Sequence, residues 1–98
     1  MNTNGTIDRL RAHTEAIRAM GATALYIFGS RARGDHHGDS DLDGFVDYDP
    51  AQRFSLTDLI AIEMLIEREL GLKADLTTHR ALHPLLREQI EREAIRIF

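Results

Sequence analysis

Two aspartates separated by one residue, Asp41-Leu42-Asp43, lie in an aspartate-rich segment that opens with Gly29-Ser30-Arg31-Ala32-Arg33. On an extended chain successive side chains alternate, so both carboxylates face one side and Leu42 the other. Two carboxylates side by side repel unless a cation sits between them, which points to a divalent metal. Hard oxygen donors favour magnesium or manganese, and magnesium keeps positions open for water and substrate phosphates. Upstream, Gly29 allows close backbone approach to a ligand. Ser30 adds a hydroxyl at a turn whose free N–H groups make an anion site. Arg31 and Arg33 bring positive charge beside it. If the strands carrying Gly29 and Asp41 are antiparallel neighbours, the two features meet at one end of a sheet. A phosphate cradle then faces a metal pair, the arrangement phosphoryl transfer requires.

A second motif overlaps the first. Asp39-Ser-Asp41-Leu-Asp43-Gly44 matches the opening of an EF-hand calcium loop. Counting from Asp39, the position that needs a bidentate glutamate holds Pro50, which has no side-chain ligand. The residues before the loop also form a strand-like apolar run instead of a helix. The calcium-loop reading fails.

The elements that must position these residues are legible from periodicity. Ile7, Leu10, Thr14, Ile17 and Met20 recur at helical steps, which predicts a helix over about residues 6–20, with Gly21 at its C-cap. Ala24-Leu-Tyr-Ile-Phe28 is a short apolar run stopped by Gly29, which suits a strand. Leu42, Phe45 and Val46 suggest another near 41–47. Ser55-Leu-Thr-Asp58 has the form of a capping box. It precedes the helical stripe Leu59, Ile62, Ile66 and Leu70, with Gly71 as C-cap. Lys73–Thr78 reads as a third strand. Pro84 fits the first turn of a last helix whose face is Leu86, Ile90, Ala94 and Ile97. The predicted fold is α/β (α+β), a small mixed sheet flanked by helices, in the order α-β-(short α)-β-α-β-α, forming a single domain over 1–98.

Composition bounds the function. The chain has 98 residues, 43 % of them apolar and 29 % charged, as in ordinary globular domains. No apolar run approaches a membrane span, and the N-terminal residues lack the pattern of a signal peptide. The zero cysteines exclude disulfides and thiolate metal sites, and fit a reducing cytoplasm. A net charge of −4 weighs against sequence-independent nucleic-acid binding, which needs a basic surface.

Gly29-Ser30, ten residues, then Asp41-x-Asp43 resembles the signature of the DNA polymerase β-type nucleotidyltransferase superfamily. The short chain and the surrounding GSRARGD…SDLD are similar to its minimal nucleotidyltransferases, the antitoxin partners of HEPN-domain toxins. The resemblance covers nearly the whole chain and implies a third carboxylate on a neighbouring strand, for which Asp75 is the candidate. It implies that Asp41, Asp43 and Asp75 hold two Mg2+ ions (Mn2+ being possible), with ATP as substrate. Gly29, Ser30, Arg31 and Arg33 would bind its phosphates. The acceptor implied is a hydroxyl on a HEPN toxin, a tyrosine, whose adenylylation silences it. Other readings stay open: a non-catalytic module that neutralises its partner by contact, or transfer to a small molecule. Homo- and hetero-oligomers are equally compatible with the sequence. One departure stands out: Gly44 occupies a strand position where a bulkier residue is expected. His36 and His37 read as a surface pair, His79 and His83 as capping or packing residues, and Asp47 and Asp49 as turn acids before Pro50. The charged run 87–93 reads as an exposed helix face.

Overall fold

The N-terminal apolar stripe folds as two short helices, α1 (Thr3–Arg11) and α2 (Thr14–Ala19), where one was expected. The Thr14 hydroxyl donates to the Arg11 carbonyl at 2.8 Å, a side-chain bond that competes with the helical ladder and ends α1 there. Strand β1 (Ala22–Phe28), the single-turn helix α3 (Ser30–Arg33) and strand β2 (Leu42–Tyr48) follow. Next come helix α4 (Leu56–Leu70), strand β3 (Ala74–Thr78), a 3-10 turn at His79–Ala81, helix α5 (Arg87–Glu93) and strand β4 (Ile95–Arg96). This computed structural model describes residues 3–34 and 41–98; Asp35, His36, His37 and Asp39 lie outside that range.

The sheet order is β3-β2-β1-β4, with β2 antiparallel to β1 and parallel to β3. The mixed sheet expected from the sequence is therefore present, with one strand more. The last helix predicted from Pro84 to Ile97 is shorter. Residues 84–86 form a turn, α5 occupies 87–93, and Ala94 turns extended so that Ile95 pairs with Ile27 and Arg96 with Tyr26. The β-branched alternation Ile95-Arg96-Ile97 has a period of two, and it buries Ile97 in the core. Arg11 fastens this terminal strand by donating to the carbonyls of Ile97 and Arg96 at 2.9 and 3.2 Å.

One face of the sheet is the core. Leu25, Ile27, Leu42, Val46, Ala74 and Leu76 pack under Leu10 and Ile17 of the N-terminal helices and Leu59, Ile62, Leu65 and Ile66 of α4. Gly44 belongs to this face. A Cβ there would lie 2.6 Å from the Tyr26 carbonyl oxygen and 3.0 Å from Leu76 Cδ2, so the close approach of β1 excludes any side chain. Helix α4 starts as its sequence predicts, with Ser55 and Asp58 forming a capping box and Gly71 closing it at φ 69°. Two glutamates on α4 also guard the outer border of β3. Glu67 accepts from the Ala74 N–H at 2.9 Å and Glu63 from the Leu76 N–H at 2.7 Å.

Candidate active site

The opposite face of the sheet carries the acids. Phe28 of β1, Asp43 of β2 and Asp75 of β3 occupy one rung, so the Asp43 and Asp75 side chains leave adjacent strands on the same side. Neighbouring strands stand ~4.8 Å apart, which makes the two carboxylates direct neighbours. Asp41 precedes β2 on the same parity and is exposed, as is Asp75, whereas Asp43 is half-buried. The carboxyl of Asp43 is pushed above its ordinary range, first by partial burial, then by the charges of Asp75 and Asp41. Asp43 thus lies within electrostatic reach of the other two predicted acids. Among the described residues, no three His, Asp or Glu side chains yet converge as a finished ligand set. The donor chemistry nevertheless fits a hard divalent cation, because three oxygen donors whose charges repel gain most from one.

The turn after β1 is built against Asp43. Gly29 has φ 76°, a left-handed value that L side chains rarely adopt. A Cβ on Gly29 would lie 2.9 Å from Asp43 Oδ2, so only glycine brings backbone this close to the carboxylate. Gly29 is the N-cap of α3 and Ser30 its first residue, half-buried. Arg31 is buried, only 2 % exposed, where a guanidinium is expected to be paired. Arg33 is exposed. The two arginines predicted as equivalent therefore have different surroundings.

An anion from the chain itself sits at this turn. Glu93 Oε1 accepts from the Gly29 N–H at 3.3 Å and meets Arg33 Nη1 at 3.4 Å. The sequence reading placed Glu93 on a solvated helix face. Its contact with Gly29 spans 64 residues and leaves no local pattern. Farther along the same sheet face lie residues that the sequence reading also left without a role in the site. Tyr26 and Phe45 are cross-strand partners with rings stacked at 4.7 Å, and the His79 ring lies 4.7 Å from Phe45. His79 is clasped on both nitrogens, Nδ1 to Asp47 Oδ1 at 2.8 Å and Nε2 to Glu91 Oε2 at 2.6 Å. The hydrogen bond to Glu91 is the main cause that raises the His79 pKa above 6.5. The alternation Asp43-x-Phe45-x-Asp47 was the available signal for this extension of the face. His83 is not a helix cap: it accepts from the Leu85 N–H at 3.2 Å in the turn before α5, whose N-cap is Leu86, and Asp49 accepts from the Ala51 N–H at 2.9 Å, as a turn acid does.

A Gly-Ser turn packed on one of two acids that share a rung suits phosphate chemistry, and comparison with known proteins shows the family. The family model described as a nucleotidyltransferase domain matches residues 10–97. The chain belongs to the nucleotidyltransferase family, among its minimal members. The protein adenylyltransferase MntA of Thermococcus cleftensis is 33 % identical over 87 residues, covering 88 % of this chain and 86 % of that one. A Methanocaldococcus jannaschii protein provisionally named protein adenylyltransferase MJ0435 is 36 % identical over 75 residues, covering 76 % and 78 %. A solved structure provisionally described as a minimal nucleotidyltransferase superposes with a TM-score of 0.72 at 39 % identity, covering 91 % of this chain and 93 % of that one. The fold is also that of the MNT antitoxin bound to a tri-AMPylated Shewanella oneidensis HEPN toxin, with a TM-score of 0.67 at 15 % identity, over 98 % and 71 % of the two chains. The nucleotidyltransferase thus uses one face of its sheet to set Asp43 and Asp75 on one rung and the Gly29 turn against Asp43.

Proposed function

We propose that this nucleotidyltransferase transfers AMP from ATP to a protein hydroxyl, a tyrosine of a HEPN-domain partner, and so acts as an antitoxin. The observation that carries the reading is the shared rung of Asp43 and Asp75 with the Gly29 backbone packed on Asp43. The names of the relatives and the likeness to toxin–antitoxin complexes support the choice of AMP and of a HEPN partner. Asp41, Asp43 and Asp75 would hold the Mg2+ ions. When bound, these cations neutralise triphosphate charge and sharpen the acceptor hydroxyl.

The residues of this chain account for the rest. The Gly29 N–H, Ser30 and Arg33 receive the β- and γ-phosphates, the oxygens that an anion such as the Glu93 carboxylate imitates. Arg31, also expected from the sequence to bind phosphate, is buried and so is not assigned that contact. The acceptor oxygen bonds to the α-phosphorus as the bond to pyrophosphate breaks, and the exposed Asp75 takes the hydroxyl proton. Incubation with ATP, magnesium and the HEPN partner, followed by intact mass measurement of both chains, tests the reading. A gain of AMP on the partner is expected; a tight complex with neither chain modified would sink it and leave neutralisation by contact.

A further inference from the structure

Helix α5 has little apolar anchorage, since none of its seven residues is buried. An isolated helix of this length does not persist in water, so its order is borrowed from what it touches. Side chains fasten it to the body of the protein. Arg87 Nη2 donates to the Arg80 carbonyl at 2.8 Å, Glu91 holds His79 at 2.6 Å, and Glu93 holds the Gly29 turn. Past α5 the chain changes direction. The Ala94 N–H donates to the Ile90 carbonyl at 2.9 Å as the last helical rung, and Ile95 and Arg96 then pair with Ile27 and Tyr26.

The last of these tethers uses groups that a phosphate needs. One oxygen, Glu93 Oε1, takes the Gly29 N–H at 3.3 Å and meets Arg33 Nη1 at 3.4 Å. Gly29 has a single N–H to give. A phosphate oxygen and a carboxylate cannot both hold it, and two anions at one turn repel. We propose that Glu93 is a built-in competitor for the phosphate site: filling of the Gly29 turn by a nucleotide's terminal phosphates and docking of α5 on the sheet exclude one another. This rests on the proposed nucleotidyl transfer and adds how its phosphate site is controlled.

Glu93 thereby sets which ligands enter. A triphosphate brings more negative charge to Gly29 and Arg33 than one carboxylate does, and displaces it. AMP, whose single phosphate belongs at the acids, has nothing to place there and leaves α5 docked. After transfer, the returning carboxylate competes with pyrophosphate for the same donors and hastens its departure. The coupling is reciprocal: docked α5 weakens phosphate binding by the same factor as bound phosphate weakens docking.

The test is 15N–1H NMR of the full chain in Mg2+, reading the Gly29 cross-peak and amide exchange at Ile90 and Ala94, both bonded along α5. AMP-PNP, inorganic tripolyphosphate and AMP are added in separate arms. AMP-PNP and tripolyphosphate should shift Gly29 and accelerate exchange about 5-fold, while AMP leaves exchange unchanged. Glu93→Gln should exchange fast before any ligand is added and bind tripolyphosphate about 5-fold tighter. Glu88→Gln removes the same charge from the exposed side of α5, where Glu88 faces Arg92 at 3.9 Å, and should alter neither readout. Unchanged or slower exchange with Gly29 saturated, acceleration by AMP, or equal tightening in both variants would overturn the proposal. No response of Gly29 to AMP-PNP or to tripolyphosphate would instead overturn the nucleotidyl-transfer reading on which it rests.

Discussion

At the scale of single residues, the site depends on side chains that are absent or charged for a stated reason. Gly29→Ala places a methyl 2.9 Å from Asp43 Oδ2 at a φ of 76°. The strain costs about 1–3 kcal/mol. We expect a folded protein melting ~4–8 °C lower per kcal/mol, with transfer reduced ~100-fold, read by calorimetry and intact mass. Asp43→Asn removes a charge that burial, Asp75 and Asp41 all disfavour. A raised carboxyl stabilises the fold below its ordinary pKa and loses that contribution as pH rises through the raised value, so at neutral pH the ionised group is a burden. The variant should therefore melt higher than the parent in EDTA, lose the stabilisation that magnesium gives the parent, and transfer no AMP. Glu93→Gln weakens a carboxylate that competes for the phosphate cradle, and the KM for ATP should fall about 2–5-fold. Asp41, Asp43 and the Gly-Ser pair stood out in the sequence because their spacing is local, whereas Asp75 was a candidate only through the family resemblance. Glu93 and Gly44 were not legible there, since one acts across 64 residues and the other answers to a carbonyl on a neighbouring strand.

At the scale of elements, α5 is the part whose role differs most from its sequence. It is fixed at both ends of the site face, by Glu91 to His79 and by Glu93 to the Gly29 turn. Because the His79 pKa is raised, its clasp contributes fully below 6.5 and is lost as pH climbs through the higher folded value. Amide exchange in α5, measured by mass spectrometry, should accelerate over that window above 6.5, and His79→Gln should remove the pH dependence. The C-terminal residues were misread because Ile90, Ala94 and Ile97 satisfy a helical repeat while Ile95 and Ile97 satisfy a strand repeat. Only the free border of β1 decides between them, and that border is not visible in a local pattern. Helix α4 was read correctly, its caps and stripe being contiguous.

At the scale of the whole molecule, the two layers divide the labour: one face of the sheet holds the fold together and the other is left for chemistry. The two lateral borders are unlike. Glu63 and Glu67 occupy the N–H groups that β3 would offer a further strand, while β4, two residues long, closes the other side. Replacing both glutamates with alanine should release those donors and produce thioflavin-positive aggregates at concentrations where the parent stays clear. Among the described residues, side chains thus occupy one lateral border of the sheet and a two-residue strand limits the other, so neither offers a neighbour a long row of donors.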